Sequence, residues 1–297
     1  MTNTLLNFSA DLAAAVERVA GSVVTVHSRS RRTSSGVVWK AGLVLTSESA
    51  LRGEEGLHVT LPSGQTVPAT LKGRDGSTDL AVLACDTGDT QPASFATGGV
   101  KVGQIALTVG RTRDTGPIAT FGIVSGAASE WKTWRGGKLS EFIRLNLEIY
   151  PTSLGGAVID AEGNLLGLVA AGLSRSSVIA IPRGTIERVA NSLATRGRVA
   201  RGYLGIGLQT VAVPASLNVG QESGIMVVHV EENGPAAAAG LMLGDVLLQV
   251  DEERMTSVEA LHAALNSDLI GKQVHLRFLR GGAVQQATAT VGERPAK

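Results

Sequence analysis

Apolar residues recur along this chain with two different periods, and the switches between them mark its organisation. In residues 9–19, Leu12, Val16 and Val19 repeat at helical spacing, with Ser9 placed as N-cap, Asp11 in the first turn and Gly21 as terminator. A short helix is predicted there. From residue 22 onward, β-branched runs broken by turn residues take over, at 23–26, 36–39, 43–45, 57–61 and 81–83. A second set follows at 104–109, 121–125, 142–145 and 165–169. Strands this short and this regularly interrupted predict two small antiparallel barrels. A helix over 186–196 precedes a last block. In that block Pro235 suits a first helical turn and Gly240 a C-terminal cap. Thr256-Ser257-Val258-Glu259 forms a capping-box pattern before a helix carrying Leu261 and Leu265.

At 297 residues and 43% hydrophobic content the chain can bury cores for two or three domains. Its 27 Lys and Arg against 26 Asp and Glu give a formal charge of +1, so no electrostatic case exists for nucleic acid or an anionic membrane surface. The Arg29-Ser30-Arg31-Arg32-Thr33 cluster reads as a solvated hairpin loop. No apolar run reaches the length of a membrane span. A single cysteine, Cys85, excludes an internal disulfide and reads as a small hydrophobe. The histidines His27, His58, His229, His262 and His275 show no metal-ligand spacing, so neither a metal nor another cofactor is expected. Residues 1–4 lack a charged segment followed by an apolar one. The expected compartment is cytoplasmic if Met1 is the natural start and periplasmic if a leader was removed.

Three segments share a pattern with trypsin-like enzymes: Tyr150-Pro151-Thr152-Ser153-Leu154-Gly155-Gly156-Ala157-Val158, Leu43-Val44-Leu45-Thr46-Ser47-Glu48-Ser49-Ala50, and Asp75-Gly76-Ser77-Thr78-Asp79-Leu80-Ala81-Val82-Leu83. Phe121-Gly122-Ile123-Val124-Ser125 adds a fourth. Farther on stand Arg201-Gly202-Tyr203-Leu204-Gly205-Ile206, residues 233–241 and Gly244-Asp245-Val246-Leu247. Together they resemble the HtrA (high-temperature-requirement) family of trypsin-like serine proteases over nearly the whole chain. The resemblance implies a mainly β protein, with a trypsin-like double β-barrel followed by a C-terminal PDZ domain. The expected divisions are an N-terminal helical segment at 1–20, the double barrel at 21–200 and the PDZ domain at 201–297.

The same resemblance exposes what is missing. Leu154 stands at the nucleophile position and Ser49 at the histidine position, and only Asp79 remains of the triad. Leucine has no lone pair with which to attack a carbonyl, and a serine hydroxyl takes no proton near neutral pH. The upstream oxyanion position, normally glycine, is Thr152, and a β-branched residue tolerates positive φ poorly. A collapsed loop is therefore expected, with Asp79 serving as a structural carboxylate and Ser153 hydrogen-bonded within the loop. The implied protein is a degenerate pseudoprotease that binds peptides or protein C-termini through its PDZ domain. Tyr203, Leu204, Gly205 and Ile206 would receive the carboxylate, and Leu204, Ile206 and Leu261 would line the pocket for the last side chain. Arg201 stands beside this loop either as a solvated linker residue or as an added attraction. Residues 170–172 resemble the edge that pairs with substrate. Two alternatives stay open: an active endopeptidase with a non-standard nucleophile, and an assembly partner of active HtrA proteases. The family also implies a homotrimer, for which Leu5, Leu6 and Phe8 offer an apolar contact.

Overall fold

The computed structural model describes residues 3–29, 33–174 and 177–295. Ser30, Arg31 and Arg32 of the basic cluster lie outside the described residues, and Arg29 faces Glu55 at 3.5 Å. The chain divides into two compact units, Met1–Arg198 and Val199–Lys297.

The first unit opens with the helix Thr4–Ala20. It begins five residues before the sequence pattern suggests, because Asn3 rather than Ser9 is the N-cap, with its side chain accepting the Leu6 N–H. The added turn escaped the periodicity because its apolar residues are outside: Leu5 is 78% and Leu6 66% exposed. Two closed barrels follow. In the first, strands run in the order Val23–His27, Thr33–Lys40, Leu43–Ser47, Leu80–Cys85, Thr66–Asp75, His58–Thr60 around a core that includes Val24, Val26, Val44, Val59 and Leu83. The second closes in the order Phe142–Asn146, Val178–Pro182, Leu165–Ala170, Ala157–Ile159, Ile105–Thr112, Gly116–Ala128 around Ala106, Val124, Ile143, Val158 and Val169. Alternation puts these small branched side chains inside, which is what a narrow barrel can hold. The strand Thr66–Asp75 is not among those the apolar pattern predicts. Its alternating burial is interrupted on paper by Pro68, which pairs with His58 in the barrel. Arg111 ties the barrels and the helix together, donating to the Val23 carbonyl at 2.6 Å and the Ala20 carbonyl at 2.7 Å.

His27 lies on the outer face of the first barrel, directly opposite His58, with its Nε2 2.8 Å from Thr60 Oγ1. Burial holds its imidazole below the usual histidine range, and Arg113 and His58 add to the effect. A lowered folded value means that the unfolded chain takes the proton first. The neutral-His27 contribution is complete above the ordinary value of 6.5 and is lost as pH falls from there toward the folded value. The melting temperature is expected to fall on acidification through this window, and His27→Gln should flatten the slope. Identical pH profiles for the two proteins would refute this.

The second unit is a sheet in the order Ile206–Ala212, Ser223–Val230, Val246–Val250, Gln273–Arg280, Ala283–Thr290, with the helix Val258–Ala264. Ser257, not Thr256, caps that helix, accepting the Ala260 N–H at 3.2 Å. Its core gathers Leu204, Ile225, Val227, Leu247, Leu261, Val274 and Phe278. Asp245, 1% exposed, is compensated by two bonds from Arg280, at 2.8 and 2.7 Å, and one from the Met242 N–H. Among the described residues no helix is long and apolar enough to cross a membrane.

Candidate functional site: a trypsin-like corner without a histidine

Asp79 sits at the turn between Thr66–Asp75 and Leu80–Cys85, fully buried and at φ 57°, a conformation uncommon outside glycine. Three donors hold its carboxylate: the Ser49 N–H at 2.7 Å on Oδ1, and the Ser47 hydroxyl at 3.0 Å and the Gly172 N–H at 3.1 Å on Oδ2. Ser49 lies in the short turn Glu48–Ala50 with its side chain outside, 3.0 Å from Ser47 Oγ. Serine, not imidazole, meets the carboxylate. Glycine suits position 172, since a Cβ there would stand 3.0 Å from the Asp79 Cγ and crowd the carboxylate.

The loop bearing Leu154 is a single 3₁₀ turn, Pro151–Ser153, seated against the first barrel. Thr152 is not among the described residues with positive φ. Its carbonyl accepts the Ser35 hydroxyl at 2.6 Å, and the Ser35 Oγ in turn accepts the Arg111 backbone N–H at 2.9 Å. The Leu154 N–H turns back onto the Pro151 carbonyl at 3.4 Å, and the Ser153 N–H onto Tyr150 at 2.8 Å. The amides of Ser153 and Leu154 are thus spent on the loop itself. The Leu154 side chain is half-buried against the core of the second barrel, and its carbonyl receives the Ser35 N–H at 2.9 Å. Ser153 is only 2% exposed. Gly155, at φ 77°, lies so close to the first barrel that a Cβ would come within 2.5 Å of the Ser35 carbonyl.

A hairpin built from Trp131–Lys132 and Lys138–Leu139 folds over this corner. Thr133 donates to the Ser77 carbonyl at 2.7 Å, and Arg135 donates to the Gly76 carbonyl at 3.3 Å while its guanidinium lies 4.0 Å from Glu48. The Trp134 indole N–H donates to the Gly172 carbonyl at 3.1 Å, with Arg135 packed on its ring. Gly172 therefore spends its N–H on Asp79 and its carbonyl on Trp134. Sequence reasoning missed Ser35, Trp134 and Arg135, because nothing local marks contacts made 38 to 117 residues away.

Among the described residues of the first unit, neither histidine hydrogen-bonds to this corner, and His27 bonds Thr60 instead. His58 bonds the Gly56 carbonyl at 3.1 Å, and His229, His262 and His275 belong to the second unit. Among the described residues no group of three or more potential ligands is placed to hold a metal.

In the second unit Tyr203 pairs with Gly292, and Gly205 adopts φ 75°. The Leu204 carbonyl accepts the Ala236 N–H and the Gly205 carbonyl the Glu231 N–H, both at 2.8 Å, which fixes the loop against the turn at 231–236. A hydrogen bond to Glu231 raises the Tyr203 phenol above its usual range. Ile206 opens the edge strand and is half-buried. Leu204 and Leu261 are 2% and 1% exposed, so both are core residues. Among the described residues the edge strand Ile206–Ala212 has a strand partner on one side only, Ser223–Val230, and it packs near the helix Val258–Ala264.

Two six-stranded closed barrels with a PDZ-type sheet define a trypsin-like serine protease homologue carrying a PDZ domain. Residues 34–168 match the trypsin-like peptidase domain family, and residues 202–291 match the PDZ domain family. A probable periplasmic serine endoprotease, DegP-like, from Halomonas elongata is 30% identical over 279 residues, covering 91% of this chain and 58% of its own length. A serine protease Do-like HtrA from Lactobacillus helveticus is also 30% identical, covering 84% and 65%. Among solved structures, the HtrA-type protease AlgW with tripeptide is 30% identical with a TM-score of 0.68, covering 96% of this chain and 98% of that one. The serine endoprotease from Yersinia pestis is 29% identical with a TM-score of 0.71, covering 96% and 98%. This chain belongs to the HtrA family. It spans 58% and 65% of the length of those two curated relatives.

Proposed function

We propose that this protein is a proteolytically inert HtrA homologue, which binds extended peptides or protein C-termini on its PDZ unit and acts as a scaffold or regulator for active relatives. One observation carries the reading. The carboxylate that the family pairs with a catalytic histidine is here held by Ser47, Ser49 and Gly172. A base and a nucleophile must act together, and neither residue type is present at its position. The alternative of a nucleophile shifted to Ser153 meets a side chain shut off from solvent.

The PDZ groove is the proposed binding site, with a peptide added beside Ile206–Ala212 and its carboxylate received by the backbone of residues 203–206. Ile206 is the reading's apolar contact, whereas Leu204 and Leu261 support the groove from within the core. Assembly is a further part of the proposal. Phe8 packs edge-to-face on Phe121 with ring centroids 6.1 Å apart, and Leu5, Leu6 and Phe121, each more than half exposed, extend that apolar surface toward a homotrimer contact.

Calorimetric titration tests the groove. A peptide ending in a free apolar residue is expected to bind about tenfold to a hundredfold more tightly than its C-terminal amide, because a charge-assisted hydrogen bond is lost. Ile206→Asp should weaken both, with a modest fall in melting temperature because Ile206 also packs on the edge of the core. Leu261→Asp should instead unfold the unit, since it buries a carboxylate in the core. Equal affinity for acid and amide would overturn the groove reading and favour the assembly role.

A further inference from the structure

The face of the PDZ sheet turned away from its core carries a feature that the groove does not use. Along Gln273–Arg280, Val274, Leu276 and Phe278 enter the core, and His275 and Arg277 point the other way. Strand register sets Gln249 and Gln286 directly opposite Arg277 on the two flanking strands, and Thr288 opposite His275. Opposed residues share a face. With Asp251 they line a cavity of about 250 Å³.

The lining is ordered around one unmatched group. The Gln249 amide donates to the Asp251 carbonyl at 2.7 Å, and the Asp251 carboxylate accepts the His275 N–H at 2.8 Å. Arg277 is half-buried, and its guanidinium has no hydrogen-bond or ion-pair partner among the described residues. A guanidinium offers five donors in a planar fork that fits a carboxylate. The cavity also opens beside a sheet edge. Among the described residues Ala283–Thr290 pairs only with Gln273–Arg280, and its eight residues include no charge and no proline, the features that ordinarily guard an edge.

We infer that a partner protein docks here by adding an extended segment beside Ala283–Thr290, with an Asp or Glu side chain of that segment bound by Arg277 between Gln249 and Gln286. Neighbouring strands lie about 4.8 Å apart, so the added strand stands two spacings from Gln273–Arg280. A glutamate and an arginine side chain together bridge that gap. The net charge of +1 provides no general pull on acidic chains, so the selectivity rests on this one guanidinium.

The probe is a blocked heptapeptide, acetyl-Thr-Val-Thr-Glu-Thr-Val-Thr-amide, titrated into the full chain beside its Gln counterpart. Blocked ends separate this site from carboxylate capture in the groove, so the two readings fail independently. The Glu peptide is expected to bind about tenfold more tightly than the Gln peptide. Arg277→Gln should abolish that preference with an unchanged melting temperature, and Arg277→Lys should keep part of it. Amide exchange should slow along 283–290. Absence of binding, equal affinities, a preference that survives Arg277→Gln, or protection along 206–212 instead would each overturn the inference.

Discussion

Fluorophosphonate probes are expected to leave the purified protein unlabelled, and unfolded casein to remain intact after prolonged incubation. Attack on either reagent needs a hydroxyl activated by a base, and Leu154 supplies none. Losing the nucleophile or the base of a serine protease costs about a millionfold in turnover, and the losses overlap because the groups act as a unit. Ser153, the nearest hydroxyl in the chain, is 2% exposed, and its N–H is tied to Tyr150 at 2.8 Å. Labelling that vanishes in Ser153→Ala would show that the loop opens in solution and that the chemistry has moved by one residue.

Restoring the missing side chains is expected to fall far short of restoring activity. Ser49→His with Leu154→Ser returns base and nucleophile, but the new imidazole has to displace the Ser47 hydroxyl from Asp79 Oδ2. The oxyanion donors present a second obstacle. The amide at position 154 is committed to Pro151, and the Thr152 carbonyl is held by Ser35 at 2.6 Å. One absent oxyanion donor costs about a hundredfold to a thousandfold in turnover. Adding Thr152→Gly, which frees the turn to take a positive φ, should recover activity on that scale over the double variant. Equal rates for the double and triple variants would mean that the threonine does not set the shape of the loop.

Much of the architecture is visible in the sequence because barrel strands advertise themselves locally: Val23, Val24 and Val26, or Val44 and Leu45, are β-branched or apolar in short runs bounded by turn residues. Thr66–Asp75 hides because Pro68 resembles a strand breaker, and the first turn of the N-terminal helix because its leucines face solvent. At the candidate site, Leu154, Ser49 and Thr152 can be read as substitutions within a familiar frame. The donors that hold Asp79 in place of a histidine cannot. Ser47 lies 32 positions from Asp79, Gly172 lies 93, and only tertiary closure brings them onto one carboxylate. Leu204 and Leu261 show the converse limit: an apolar residue near a groove and one beneath it look alike until burial is known.

The Trp134 indole on the Gly172 carbonyl changes the arithmetic of any encounter at the barrel cleft. A visiting peptide strand has to compete for that carbonyl with a donor carried on the same chain, whose effective concentration is on the order of millimolar. Micromolar peptide is outnumbered there by about a thousand to one, and the net exchange is one hydrogen bond for another. The cleft thus behaves as a site with a tethered competitor, which disfavours the pairing of a passing strand there.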